Sequence, residues 1–165
     1  MRILWAPWRM AYIRLFSSRK DEECFLCRAA GGDDDMEKLV VFRGGTCFVI
    51  LNRYPYNNGH LMIAPYRHIS SILDLNEEES IEMINLLKLS IRALKEEYNP
   101  DGFNVGLNLG RGAGAGVEDH IHFHVVPRWI GDTNFMPVIS DTKVIPEALH
   151  ETWRRIKERF SQLTA

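Results

Sequence analysis

The feature that most restricts the fold of this chain is one long stretch of helical periodicity set among short apolar runs. Between Leu73 and Tyr98 apolar residues recur every three or four positions, which is typical of an amphipathic helix. Asn76 followed by Glu79 is the sequence of a capping box, and residues 99–102 end the pattern. The apolar stripe consists of Ile81, Ile84, Leu87, Ile91 and Leu94.

The other apolar runs are of strand length and are separated by turn residues. Gly44-Gly45 lies between two of them and predicts a hairpin. Hairpin strands with one long inserted helix and a C-terminal helix favour an α+β fold, in which about five antiparallel strands form a sheet with the helices on one face. The predicted strands span residues 38–43, 46–52, 60–64, 103–108 and 120–126. The predicted last helix spans residues 146–163.

Length and charge exclude several classes of protein. A chain of 165 residues with 45% hydrophobic content predicts one domain with one sizeable core. Twenty basic against 22 acidic residues give a net charge of -2, so binding to nucleic-acid polymers is not expected. No apolar run approaches the roughly 20 residues of a membrane span, and the N-terminus lacks a secretory pattern. We therefore expect a cytoplasmic protein that does not bind membranes.

Residues 120–126 alternate histidine with apolar residues, so His120, His122 and His124 are predicted on one face of a strand. Alternate histidines suit either a three-imidazole metal site or an imidazole nucleophile flanked by phosphate-binding imidazoles. The preceding residues 108–116 are rich in glycine, whose backbone amides can approach an anion closely. Because this loop joins the histidine strand directly, phosphate is the expected ligand.

The cysteines predict a second site. Cys24 and Cys27 have the C-x-x-C spacing of half a zinc site, which needs two more nitrogen or sulfur ligands. A C-x-x-C without metal and a redox dithiol are the alternatives. Cys47 lies in an apolar run and is predicted to be a buried small hydrophobe.

The glycine-rich loop, the H-x-H-x-H strand and the Pro-Arg-Trp that follows it resemble the histidine-triad (HIT) superfamily of nucleotide hydrolases and transferases. Residues 52–60 and 65–68 are also similar to that superfamily. Within it, residues 4–13 and 125–138 resemble the bacterial diadenosine tetraphosphate phosphorylases. The resemblance predicts a HIT-like fold.

The same resemblance divides the chain into three parts. Residues 1–23 are interpreted as an N-terminal arm and residues 24–138 as the HIT domain. Residues 139–165 are interpreted as a C-terminal helical extension of the same domain.

The resemblance implies roles for the histidines. His122 would attack the α-phosphorus and form a nucleotidyl-imidazole, while His124 would donate a hydrogen bond to a non-bridging oxygen. His60 corresponds to a position that supports the triad without acting as the nucleophile. His120 is predicted to belong to the catalytic triad. It also corresponds, together with His68, to ligands in zinc-bearing relatives, which would complete a structural zinc site with Cys24 and Cys27. No cofactor is needed for the chemistry.

The resemblance also implies the substrate contacts. Asn52 matches a position that contacts the ribose and Asn108 one that contacts phosphate, although either is also a common turn residue. Trp129 would cover a base or belong to the core. Gly116 stands where many HIT proteins have a polar residue, often Gln, so one side-chain hydrogen bond is missing. The predicted substrate-binding residues are Asn52, Asn108, Arg111, Gly114, Ala115, Gly116 and Trp129.

The implied partners are a nucleotide or dinucleoside polyphosphate, inorganic phosphate as acceptor and a second copy of the chain in a homodimer. Phosphorolysis of diadenosine tetraphosphate is the leading hypothesis. Hydrolysis of a nucleoside phosphoramidate or a dinucleoside polyphosphate is the enzymatic alternative, since the sequence leaves phosphate and water open as acceptors. A slow nucleotide-binding regulatory module and a metal protein using all three histidines are the alternatives from other classes.

Overall fold

Within the described residues, five antiparallel strands form a single sheet in the computed structural model. They are β1 (Val40–Arg43), β2 (Cys47–Leu51), β3 (Leu61–Pro65), β4 (Gly102–Leu107) and β5 (Phe123–Arg128). Their order is β1-β2-β3-β5-β4. The structure describes residues 24–113, 119–134, 136–140 and 144–165, without the side chains of Arg111 and Val138. The predicted α+β sheet is confirmed, and the predicted arm, residues 1–23, lies outside the described residues.

The two long helices pack against each other and against the sheet. The helices are α1 (Phe25–Ala30), α2 (Asp35–Lys38), α3 (Glu77–Tyr98), α4 (Met136–Ser140) and α5 (Leu149–Thr164), with 3-10 turns at Ile72–Asp74 and Arg111–Ala113. Phe160 of α5 contacts Phe42 of β1, with ring centroids 5.5 Å apart. Cys47, fully buried as predicted, places its Sγ 3.8 Å from the Glu79 carbonyl of α3. None of the helices within the described ranges is long and apolar enough to span a bilayer.

The predicted capping box of α3 is confirmed. Asn76 Oδ1 accepts the Glu79 N–H at 2.8 Å, and Glu79 Oε2 accepts the Asn76 N–H at 3.0 Å. The predicted apolar stripe is buried only in part, because Leu94 is fully buried whereas Ile81 and Ile84 are exposed. The helix is apolar over more than one face, and packing against the sheet and α5 buries a face that overlaps the predicted stripe at Leu94. That face consists of Glu79, Met83, Leu86, Ser90, Ala93 and Leu94.

Two predicted boundaries are wrong. The histidine strand begins at Phe123 and not at His120, because Ile121 N–H donates to the carbonyl of Ile69 at 2.7 Å, outside the ladder between β3 and β5. His120 and His122 therefore precede β5. The last helix begins at Leu149, so Pro146 lies before it and not in its first turn.

Glu82 of α3 holds the turn between β1 and β2. Its carboxylate accepts the N–H groups of Gly45, Thr46 and Cys47 at 2.8, 2.5 and 2.8 Å, and the Thr46 hydroxyl at 2.6 Å. A Cβ at Gly44 would lie 2.4 Å from Glu82 Oε1 and 2.9 Å from the backbone carbonyl oxygen of Cys47, so the close approach requires glycine there. Burial raises the pKa of Glu82, but the hydrogen bonds outweigh burial and lower it overall.

Replacing this carboxylate tests its contribution to stability. We expect Glu82→Gln to lower the free energy of unfolding at neutral pH by about 1–3 kcal/mol, since an amide is a weaker acceptor and its NH₂ faces donors. The folded-state pKa is depressed, so the contribution is present above the ordinary value of 4.5 and is lost as the pH falls through the folded-state value. Urea titrations at neutral and acidic pH should show a difference that shrinks in acid.

Glu78→Gln is the matched control, because Glu78 is exposed on the same helix. It should lower the free energy of unfolding by no more than about 0.3–1 kcal/mol, the contribution of an exposed carboxylate in the first turn of a helix. A Glu82→Gln loss of the same size at both pH values would contradict the ionic character of the contact.

Candidate active site

The three triad histidines lie together at the start of β5. His124 is on the strand, opposite Met62 of β3 and Gly106 of β4. The rings of His122 and His124 are in contact, with centroids 4.7 Å apart at an angle of 72°. The His120 ring instead approaches the cysteines. The predicted triad is therefore divided into an adjacent pair and a third histidine that belongs to a second cluster.

The proton position on His122 follows from its hydrogen bond to the backbone. His122 Nδ1 lies 2.8 Å from the carbonyl oxygen of His120. Because a carbonyl oxygen only accepts, Nδ1 carries the proton and Nε2 carries the lone pair. Burial lowers the pKa of His122, and the bond to the carbonyl offsets this only in part. The lowered pKa favours the neutral imidazole, whose Nε2 lone pair is available to accept or attack.

His124 has the opposite tautomer, which is set through His60. The Tyr56 N–H donates to His60 Nδ1 at 3.1 Å, so the proton of a neutral His60 is on Nε2. That N–H donates to His124 Nδ1 at 2.9 Å, which leaves the proton of His124 on Nε2. Burial, followed by the nearby His124 and His122, holds the pKa of His60 well below its ordinary value, so the donor remains neutral.

Tyr56 also covers this pair with its ring, and the sequence analysis did not identify it. Its ring centroid lies 4.6 Å from that of His60 and 5.8 Å from that of His124. The only signal in the sequence is its place in residues 52–60, four positions before His60. A backbone donor leaves no mark in a side-chain pattern, so its role becomes visible only in the structure.

The predicted substrate contacts are only partly described. Asn52 is buried directly after β2, and its Oδ1 accepts the Tyr54 N–H at 2.9 Å, so it does form a turn. Asn108 is half-buried directly after β4. Trp129 is half-buried, and its Nε1 donates to the carbonyl of Tyr98 at 3.4 Å. Gly114, Ala115 and Gly116 lie outside the described residues, and Arg111 is described only as the start of a 3-10 turn.

An open cleft of about 340 Å³ lies beside the described part of the glycine-rich loop. It borders Asp119, the residue before His120, and Gly110, where the loop turns with a φ of 73°. The cleft lies beside the loop and is not lined by any of the three triad histidines. Its other lining residues are Ser70, Ser71 and Leu109.

The four predicted metal ligands are brought together. Cys24 and Cys27 place their Sγ atoms 3.5 Å from His120 Nδ1, and Cys27 Sγ lies 3.2 Å from His68 Nδ1. All four ligand atoms lie within 4.8 Å of one another. Tetrahedral zinc with bonds of about 2.0–2.3 Å places its ligand atoms roughly 3.3–3.8 Å apart, close to the sulfur–nitrogen distances here, so the cluster fits this metal.

His120 presents the correct atom to this cluster. Its Nε2 lies 2.9 Å from the Pro65 carbonyl and must donate, so the Nδ1 lone pair faces the thiols. Burial lowers the pKa of His120, which keeps its imidazole neutral, as metal binding requires.

An ion pair that the sequence analysis missed fixes the segment carrying His68. Arg67 Nε and Nη2 donate to Glu79 Oε1 and Oε2 at 2.7 and 2.6 Å, and Nη2 also donates to the Asp74 carbonyl at 2.8 Å. Glu79 is buried and also closes the capping box of α3. The His68 segment is thereby attached to the start of that helix.

Comparisons with known proteins agree with this geometry. The HIT domain family model matches residues 34–129. An AP-4-A phosphorylase from Mycobacterium tuberculosis is 42% identical over 164 residues, which cover 96% of this chain and 84% of that protein. An adenosine 5'-monophosphoramidase from Schizosaccharomyces pombe is 30% identical over 105 residues, covering 64% of this chain and 74% of that protein.

A solved structure is similar as well. The crystal structure of a zinc-bound histidine triad family protein from Mycobacterium smegmatis superposes with a TM-score of 0.68 at 25% identity, covering 86% of this chain and 96% of that one. The shared sheet, the matched family model and the extended sequence identity agree with one another. This chain belongs to the HIT domain family.

Proposed function

We propose that this protein is a diadenosine tetraphosphate phosphorylase that transfers an adenylyl group to inorganic phosphate through His122. The observation that carries the proposal is the pair of opposite tautomers in adjacent rings. His122 offers a lone pair while His124 offers an N–H. The Mycobacterium tuberculosis relative, named as AP-4-A phosphorylase and similar over 96% of the chain, supports this substrate.

In the first step His122 Nε2 attacks the α-phosphorus of the dinucleotide. A P–N bond forms and the P–O anhydride bond breaks, with its electron pair leaving on ATP. The N–H at Nε2 of His124 donates to a non-bridging oxygen, where charge accumulates, a type of contact worth about 3–4 kcal/mol. The His120 carbonyl meanwhile stabilises the imidazole that becomes cationic.

In the second step inorganic phosphate attacks the adenylyl-imidazole. A phosphate oxygen forms the new P–O bond, the P–N bond breaks, and its electron pair returns to His122 Nε2, so the products are ADP and ATP. Asn52, Asn108 and Trp129 are the proposed contacts to ribose, phosphate and base, with Arg111 and residues 114–116 around the phosphates. We place this nucleotide chemistry in the cytoplasm.

The contacts of the triad histidines also bear on the three alternative functions. With water as the acceptor the products are AMP and ATP, and the phosphoramidase relative keeps hydrolysis as the second candidate. A three-imidazole metal site is disfavoured, because His122 Nδ1 is bonded to a carbonyl and His120 Nδ1 faces the thiols. A slow binding module would have the same site but little turnover.

Product analysis separates these functions. Wild-type protein and His122→Ala are incubated with diadenosine tetraphosphate, with and without inorganic phosphate, and the nucleotides are separated by anion exchange. We expect phosphate-dependent ADP and ATP from the wild type and a loss of at least about a thousandfold in His122→Ala, since the nucleophile is removed. His150→Ala, which removes an exposed histidine of α5, is the control and should retain full activity.

Phosphate-independent formation of AMP and ATP would replace phosphorolysis with hydrolysis. Tight binding without turnover by the wild type would favour the regulatory module. Equal activity of His122→Ala and wild type would contradict the covalent mechanism.

We propose that Cys24, Cys27, His68 and His120 hold a structural zinc ion. The support is the ligand chemistry, the spacing of the four atoms and the zinc-bound relative. A bound zinc would supply a fixed cross-link between α1, the His68 segment and the residue whose carbonyl orients His122. It would take no part in the chemistry.

Metal analysis of purified variants tests this assignment. The wild type should contain one zinc per chain, and Cys24→Ser or Cys27→Ser should lose it, since three ligands bind zinc much more weakly than four. Cys47→Ala should retain zinc because Cys47 lies in the core. His122→Ala should also retain it, and loss of zinc from that variant would instead indicate a metal site built from the triad.

We also propose that the chain forms a homodimer through β4 and α3. β4 is the last strand in the sheet order, so one of its edges is open among the described strands, and Val105 on it is 42% exposed. On α3, Ile81 and Ile84 are exposed, the latter to 44%. Pairing of two such surfaces would bury apolar side chains and satisfy the strand edge.

Sedimentation velocity of charged variants tests the dimer. Ile84→Glu should shift the protein from dimer to monomer, because it would bury a carboxylate in an apolar interface. Ile130→Glu is the control, since Ile130 is 92% exposed on the turn after β5. A monomeric wild type, or dissociation by both substitutions, would contradict this interface.

A further inference from the structure

A carboxylate outside the matched family segment organises a polar cluster at the start of the C-terminal helix. Glu147 Oε2 accepts hydrogen bonds from Thr152 Oγ1 and Tyr98 Oη, both at 2.6 Å, and from Asn58 Nδ2 at 3.3 Å. Glu147 Oε1 accepts from Arg155 Nη1 at 2.7 Å. Three of these donors converge on one oxygen, an arrangement that a charged carboxylate stabilises more strongly than a neutral acceptor would.

This carboxyl group remains ionised at all ordinary pH values. Burial raises the pKa of Glu147, but the hydrogen bonds from Thr152, Tyr98, Arg155 and Asn58 lower it to about 2. The Arg155 guanidinium also lies over the Tyr98 ring, 4.9 Å from its centroid. The cluster is therefore a fixed set of charge-assisted bonds between α3, α5 and Asn58.

Asn58 connects this cluster to the proposed catalytic histidines. It lies two residues before His60, which in turn is hydrogen-bonded to His124. The neighbouring Asn57 is anchored on the other side, where its Nδ2 donates to the Pro127 carbonyl at 3.1 Å and to Asp132 at 2.7 Å. Gly59 has a φ of 73°, and a Cβ there would lie 2.9 Å from a Leu94 methyl carbon. The chain before His60 is thus held from both sides in a close-packed position.

The cluster reaches a second predicted site residue. The carbonyl of Tyr98, whose hydroxyl donates to Glu147, accepts the Nε1–H of Trp129 at 3.4 Å. The same carboxylate is therefore connected to the residue proposed to cover the base and, through Asn58, to His60.

We propose that Glu147 is a positioning residue that fixes His60 against His124 and thereby gives the C-terminal helix a role in catalysis. His60 Nε2 must remain 2.9 Å from His124 Nδ1 to keep the His124 proton on Nε2. Displacement of the segment that carries His60 breaks this bond, and the proton of His124 then redistributes between its two nitrogens. The effect on turnover rests on the proposed phosphorylase function; the effect on the tautomer does not.

Two isosteric substitutions separate positioning from simple destabilisation. Glu147→Gln points an NH₂ group either at the three donors on Oε2 or at the Arg155 guanidinium, and in either orientation it weakens the cluster that holds Asn58. Glu97→Gln is the matched control, since Glu97 binds Arg155 and Arg159 on α5 but makes none of the described contacts of Asn58. Both variants loosen the attachment of α5 to α3, and only Glu147→Gln alters the link to His60.

The first readout is steady-state kinetics with diadenosine tetraphosphate and phosphate. Glu147→Gln should lower kcat about ten- to a hundredfold, since sub-ångström displacement of a catalytic group has effects of this size, with KM changed less than about threefold. Glu97→Gln should retain kcat within about twofold, the effect expected of a contact remote from the site. Equal kcat losses in the two variants would overturn the proposal.

The second readout is the ¹⁵N chemical shifts of the imidazoles in folded protein, which report the tautomer without any turnover. His124 should show the Nε2–H form in wild type and Glu97→Gln, and a mixture of both forms in Glu147→Gln. An unchanged His124 tautomer in Glu147→Gln would overturn the proposal. If Glu147→Gln does not fold, Thr152→Val, which removes one donor to Glu147, should give a smaller proportion of the second His124 tautomer. Thr152→Ser keeps the hydroxyl and should give the wild-type spectrum.

The two proposals fail in different ways. A wild type that does not turn over diadenosine tetraphosphate removes the proposed function, while the tautomer measurement still decides the role of Glu147. An active wild type whose Glu147→Gln and Glu97→Gln variants behave alike removes the positioning role and leaves the function intact.

Discussion

The hydrogen bond from His122 Nδ1 to the His120 carbonyl is the interaction on which the rest of the site depends. This bond leaves the lone pair of His122 on Nε2. It depends on the position of the His120 backbone, which the contacts of the His120 side chain hold in place. His120 Nε2 is bonded to the Pro65 carbonyl and its Nδ1 faces Cys24 and Cys27. His120 therefore joins the proposed metal centre to the proposed nucleophile: its side chain faces the thiols, and its backbone carbonyl binds His122.

Neutrality of the buried imidazoles is the second requirement. A protonated His122 would have no lone pair, and a protonated His60 would donate from both nitrogens and lose its bond from the Tyr56 N–H. Burial lowers the pKa of both rings, and so favours the forms that the hydrogen bonds need. The Tyr56 ring covers His60 and His124, and contributes to this environment. Desolvation and tautomer selection thus act in the same direction.

The sequence predicted those features whose determinants are local or carried by spaced motifs. The capping box of Asn76 and Glu79 gave the start of α3 correctly, because both bonds join residues three positions apart. The Gly44-Gly45 turn gave the first hairpin. The clustering of Cys24 and Cys27 with His68 and His120 was also predicted, from resemblance to relatives and not from spacing alone.

The features that the sequence did not predict depend on contacts between distant residues. The start of β5 is set by the bond between Ile121 and Ile69, which no period-two pattern contains. The buried face of α3 is chosen by the sheet and α5 from two apolar alternatives. Glu147 belongs to no recognisable sequence motif, because its donors are residues 58, 98, 152 and 155, which come from separate parts of the chain. Such contacts exist only once the fold has brought these segments together.

The most direct test of the central claim is to locate the covalent intermediate. Wild-type protein is mixed with diadenosine tetraphosphate in the absence of inorganic phosphate, quenched in alkali, which preserves phosphoramidate bonds, and mapped by peptide mass spectrometry. The account predicts one adenylyl group, carried on His122 and lost when phosphate is added before the quench. An adenylyl group on any other residue, or continued turnover with no adduct on His122, would contradict it.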